Sequence, residues 1–205
     1  MKVKKFRIRP RLSSVARILK AILGVRQLPA GVEESLPAES EEFLKHVVPA
    51  AFYITWSHDD VPAAFRPILQ EAGLSKAIAV SALVATTGSE PEDFLSELLM
   101  NGETQRSQIV TAFAEDAADA SLHFLLRLLA DDAKGDDCEL ADPIIPVEDT
   151  FLLSETLNML EAQQEDVLLD AAQHLSPRFT RVALVAWWPV SKKKRSPLPA
   201  KKKSA

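Results

Sequence analysis

The side chains able to do chemistry in this sequence are few, and their spacing limits what each can do. Cys138 can be set beside His123, Ser176 follows His174 closely, and Ser154 opens a Ser-x-x-Leu run. Each pairing offers a nucleophile, but activation also needs an oriented acid behind the base or a glycine elbow beneath the nucleophile. None of the three has these companions in sequence, so no catalytic residue is assigned. The acids Glu115, Asp116 and Asp119, and the pairs Asp131-Asp132 and Asp136-Asp137, invite comparison with calcium or magnesium sites. They lack the alternate-residue oxygens and the glycine of a calcium loop, and read as solvated helix faces. His46, His58, His123 and His174 are scattered, and no metal-binding set is expected.

Cys138 is the single cysteine, which excludes an intramolecular disulfide and points to a reducing compartment. No apolar run approaches the roughly 20 residues that span a bilayer, and basic residues interrupt the start of the chain, unlike a signal peptide. A cytoplasmic protein without a transmembrane segment is the expectation. Charge is unevenly placed. Met1 to Arg26 holds nine basic residues and no acid, and Lys192 to Lys203 seven more, leaving eight against all 29 acids between. The tail lacks aromatic residues for base stacking, and the acidic middle repels polyanions, so nucleic acid is not the expected partner.

The elements that must position these side chains follow from hydrophobic period. Lys2 to Arg9 alternates charged and apolar residues as an edge strand does, and Pro10 ends it. A helix follows with Val15, Ile18, Leu19, Ile22 and Leu23 on one face, capped by Ser13 or Ser14 and closed by Gly24. Leu28 to Pro37 reads as a loop, Glu39 to Val48 as a helix, Ala50 to Trp56 as a strand and Val61 to Gly73 as a helix. Lys76 to Thr86 is the central buried strand, because its apolar run has almost no polar alternation. Pro91 sits in the first turn of the next helix, after Ser89, and Asn101-Gly102 breaks it. Thr104 to Ala133 is the longest helical pattern, thin at Ala114, Ala117 and Ala118. Lys134 to Asp149 reads as a loop, Phe151 to Glu161 as a helix, and Val167 to Ala172 and Arg181 to Val190 as strands. Trp187 and Trp188 then face opposite sides of the sheet, one of them in the core. Strands dispersed among helices predict an α+β fold: one domain over residues 1–190 with an antiparallel or mixed twisted sheet, and a disordered Lys-rich tail over 191–205.

With these elements placed, Ser81 to Pro189 resembles the activation, or S-adenosylmethionine-binding, domain of cobalamin-dependent methionine synthase. A buried strand ends in Thr-x-Gly with an acid after it (Thr86, Gly88, Glu90). A glycine opens a long Ala-rich helix (Gly102 to Ala120). A loop and helix follow (Asp137 to Leu160), and a Leu-Ser-Pro turn leads into the last strand (Leu175 to Trp187). Val15 to Val25 resembles the family's first helix, extending the similarity over residues 7–190.

The resemblance implies a module that presents S-adenosylmethionine to a cobalamin held by a partner, a corrinoid protein or methyltransferase, while the cofactor carries the chemistry. Asp119 takes the position of the family's helix acid and is the one implied cofactor contact. The family's Arg, which opens an Arg-x-x-Pro-Gly-Tyr loop, falls near Glu139, and the Gly-Tyr pair near Pro143-Ile144. Tyr53 is the only tyrosine, so the late aromatic hydroxyl is missing as well. The expectation is therefore an accessory module with impaired S-adenosylmethionine binding and no turnover of its own. Its rivals are a working S-adenosylmethionine-dependent reactivation component, and an unrelated α+β interaction protein whose basic ends meet anionic partners.

Overall fold

The apolar run ahead of Thr86 does become the middle of a sheet. A computed structural model describes residues 2–4 (backbone only), 6–146 and 149–190, so the Lys-rich tail lies outside the described residues. Strands β1 (Lys2–Lys4), β2 (Ala50–Ser57), β3 (Ala79–Thr86), β4 (Cys138–Leu140) and β7 (Thr180–Pro189) form one sheet in the order β1-β2-β3-β7-β4. Every pairing is antiparallel. A separate hairpin joins β5 (Leu168–Leu169) to β6 (Leu175–Ser176). The helices are α1 (Leu12–Leu23), α2 (Ala30–Phe43), α3 (Arg66–Glu71), α4 (Glu90–Met100), α5 (Thr104–Gly135) and α6 (Thr150–Met159). Among the described residues no helix is long and apolar enough to cross a membrane.

Both faces of the sheet are covered, which is why β3 shows no polar alternation. Leu83 and Ala85 of β3, with Ala183, Val185 and Trp187 of β7, pack under Leu122, Leu125 and Leu129 of α5. The opposite face, with Val80, Ala82, Leu184 and Ala186, packs against Phe65, Leu69 and Leu152. Helix α5 runs 32 residues, about 48 Å. Its first half buries Ala112, Ala114, Ala117 and Ala118 completely, and these small side chains let α1 approach with Val15 and Leu19. Phe113 of α5 stacks on Phe43 of α2, ring centroids 5.7 Å apart.

Several sequence expectations differ from the structure; among them, the strand expected over Val167 to Ala172 is only Leu168–Leu169, because the chain turns at once toward its partner β6. The strand at the N terminus stops at Lys4, because its partner β2 begins at Ala50, opposite Lys4. Leu12 already opens α1, so neither Ser13 nor Ser14 caps it; Arg11 is the N-cap, and its backbone N–H donates to Asp116 Oδ2 at 2.9 Å. The expected loop over Leu28 to Pro37 is largely α2, which tolerates Pro37 because Val32, Leu36 and Phe43 are buried on one side of it. Within the expected loop from Lys134 to Asp149, β4 pairs with Trp187 to Pro189 of β7. Of the two tryptophans, Trp187 is the core residue, its indole N–H donating to Ser81 Oγ at 2.8 Å. Trp188 is half-buried.

Candidate functional site

The site implied for Asp119 forms where α5 passes the start of β7. Strand β7 is fixed there by the turn that ends β3: Thr180 Oγ1 donates to Thr86 Oγ1 at 3.0 Å, and Gly88 N–H donates to the same Thr86 oxygen at 3.2 Å. Gly88 has φ +89°, a region L side chains rarely adopt, and it passes close under Val48. The Thr-x-Gly sequence thus works as a clasp between β3 and the next residues of β7.

Arg181, one residue into β7, reaches across to α5. Its Nε donates to Asp119 Oδ1 at 2.8 Å and its Nη2 to Glu115 Oε2 at 2.6 Å. The two acids lie one helical turn apart, so one planar guanidinium meets both. Burial disfavours the Arg181 charge, yet the two carboxylates hold its pKa above the usual arginine value. Arg178 places Nη2 3.8 Å from Glu115 Oε1, its guanidinium 5.3 Å from the Phe179 ring centroid, and its backbone N–H on Glu92 Oε1. Beside this cluster opens a cleft of about 430 Å³ lined by Asp119, Ile145, His174, Arg178 and Arg181. It is a cleft of mixed charge, able to take a ligand bearing both an acid and an amine.

The other residues named from sequence go elsewhere. Glu139 lies on β4 opposite Trp188, seven residues along β7 from Arg181 or roughly 23 Å away, so it does not face Asp119. The cation opposite Asp119 comes from a different strand, as Arg181 of β7. Ile144 bridges to Leu184. Tyr53 donates its hydroxyl to Asp132 Oδ2 at 3.2 Å, outside the cleft, and burial followed by that carboxylate raises its pKa. No sequence signal marked Arg181, which read simply as the first residue of the last strand.

Among the described residues the candidate nucleophiles gain no base. His123 sets Nδ1 2.7 Å from the Asp119 carbonyl, and among the described residues no hydrogen bond joins Ser176 to His174. Cys138 is buried, its thiol donating to the Asp136 carbonyl at 3.2 Å, and desolvation with Asp136 and Asp137 nearby pushes its pKa up. A thiol so held forms little thiolate. The folded protein is expected to resist a disulfide-exchange reagent at pH 8 and react fully once unfolded; rapid native labelling would contradict the assigned environment.

No protein-family model and no curated protein matches the sequence. Among solved structures, a crystal structure of the MetH reactivation domain bound to AdoHcy aligns with a TM-score of 0.62 at 14% identity. The alignment covers 94% of this chain and 79% of that one. The chain is thus an α+β protein with the fold of the MetH reactivation domain.

Proposed function

We propose that this chain is an accessory binding module of corrinoid-dependent methyl transfer whose affinity for S-adenosylmethionine is impaired. Cobalamin enters only with a partner, a corrinoid protein or methyltransferase, and the chain itself carries no turnover. The observation behind the impaired affinity is Arg181, which already occupies both Asp119 and Glu115. Arg181 engages Asp119 through Oδ1, so a donor's ammonium group arriving at Oδ2 meets a carboxylate whose charge is already paired. Such a carboxylate contributes less net affinity than a free acid, which would supply roughly 1.5–3 kcal/mol.

A second reading, a working reactivation component with a rearranged pocket, is supported by Arg178, His174 and Asp119 lining one cleft. Calorimetric titration with S-adenosylmethionine separates the two. The expected result is no saturable heat up to about 1 mM, with or without a cobalamin-loaded corrinoid protein, and detectable binding once Arg181→Met frees Asp119. Saturable micromolar binding by the unaltered chain would favour the second reading.

A further inference from the structure

A second groove, of about 710 Å³, lies on the other side of Asp119, between the segment that follows β1 and the C-terminal half of α5. Arg7, Arg9 and Arg11 line it from that segment, and His123 and Arg127 line it from α5. The alternation noted in the sequence explains the segment: Ile8 is buried and Phe6 half-buried, while Arg7, Arg9 and Arg11 are exposed. The backbone bond from Arg11 to Asp116 ties the segment to α5. The aromatic stack of Phe6 on Phe124, centroids 4.4 Å apart, ties it again and gives the groove an apolar side.

Two features separate this groove from an ordinary solvated basic face. Among the described residues, none of the four guanidiniums makes an ion pair, although the chain carries an excess of acids, and no carboxylate lines the groove. Four guanidiniums around one groove, with no described acid between them, repel one another and favour an anion in that space. The groove is also short. Along α5 the ridge reads Asp119, His123, Arg127, Asp131 at four-residue spacing, so the cationic stretch spans roughly 18 Å between two acids that are themselves ion-paired, Asp119 with Arg181 and Asp131 with Lys134. A compact polyanion uses all the cations of that stretch, and a longer one meets no further groove cation.

We propose that this groove binds a short phosphate-bearing ligand, an organic di- or triphosphate of nucleotide size. The planar guanidinium forks hold the phosphates, and the Phe6–Phe124 side packs against the organic part. This site is independent of the role proposed for the Arg181 cleft.

Equilibrium dialysis of the full chain at low salt with ATP, with inorganic triphosphate and with an oligothymidylate tests it. ATP is expected to bind saturably at one site with a Kd under about 100 µM. The double variant Arg9→Ala/Arg127→Ala should weaken it more than about tenfold, and Arg26→Ala, outside the groove, should leave it unchanged. Inorganic triphosphate binding as well as ATP would assign recognition to the phosphates alone; weaker binding would assign a share to the organic part. Both results support the site. Absence of saturable binding by either phosphate, equal binding by the double variant, or oligothymidylate binding tighter than ATP would overturn it. Arg9 and Arg127 are exposed, so circular dichroism should report the double variant folded.

Discussion

Replacing Phe113 with alanine should lower the stability of the fold by about 3–5 kcal/mol, the range for deleting a fully buried aromatic ring. Phe113 is wholly buried and belongs to the cluster that joins α1, α2, α4 and α5. Its ring stacks on Phe43 of α2, and the alanines around it on α5 cannot expand into the space it leaves. The surrounding helices are tied to the sheet through α5, so little collapse can offset the cavity. Chemical denaturation followed by circular dichroism measures the loss, and in thermal denaturation the midpoint should fall by about 6–20 °C for a domain of this size. Phe113→Leu should recover most of the loss. A loss below about 1 kcal/mol for the alanine variant would mean that the helical layer is not packed as described.

Gly88→Val is expected to cost about 2–3 kcal/mol for a different reason, backbone strain rather than lost packing. At φ +89° a Cβ on Gly88 would stand 2.8 Å from Glu90 Oε2 and 3.0 Å from the Val48 carbonyl oxygen. The Glu90 side chain can swing away, but the Val48 carbonyl cannot, because Val48 N–H is bonded to the Thr87 carbonyl across the same turn. Gly73→Val is the control: its φ is also positive, +72°, with nothing within 4 Å of the new Cβ, so only the conformational term of about 1–2 kcal/mol remains. Equal losses at the two sites would remove the close approach from the account. The Gly88 variant should also loosen the Thr86–Thr180 clasp, and with it the register of Arg181 against Asp119.

For this reason the two halves of the proposed function have different physical footing. The fold rests on a buried sheet and on helices that cover it, and it is shared with a reactivation domain despite 14% identity. The cleft rests on one arginine. Lengthening the contact by a single turn, or removing it, would change what Asp119 can accept without disturbing the core. Exposed ion pairs contribute little to stability, so the Asp119 arm of Arg181 can be gained or lost in divergence at small cost to the fold.

What this sequence determined by itself is what depends on neighbours along the chain. The apolar run before Thr86 had to be a strand covered on both faces, Gly24 and Asn101-Gly102 had to end helices, and the alanines of α5 had to permit a close helix–helix approach. These are statements of period, backbone freedom and side-chain size, and they need no knowledge of the chain path. The tertiary structure decided the rest. Helix α2 persists through Pro37 because burial of Leu36 and Phe43 outweighs the missing backbone bond. Strand β4 exists because β7 offers it an edge. Arg181 meets an acid 62 residues away in sequence, and Arg7, Arg9 and Arg11 meet Arg127 across a groove. Electrostatic partners are chosen by which surfaces the core brings together, and no local pattern encodes that choice.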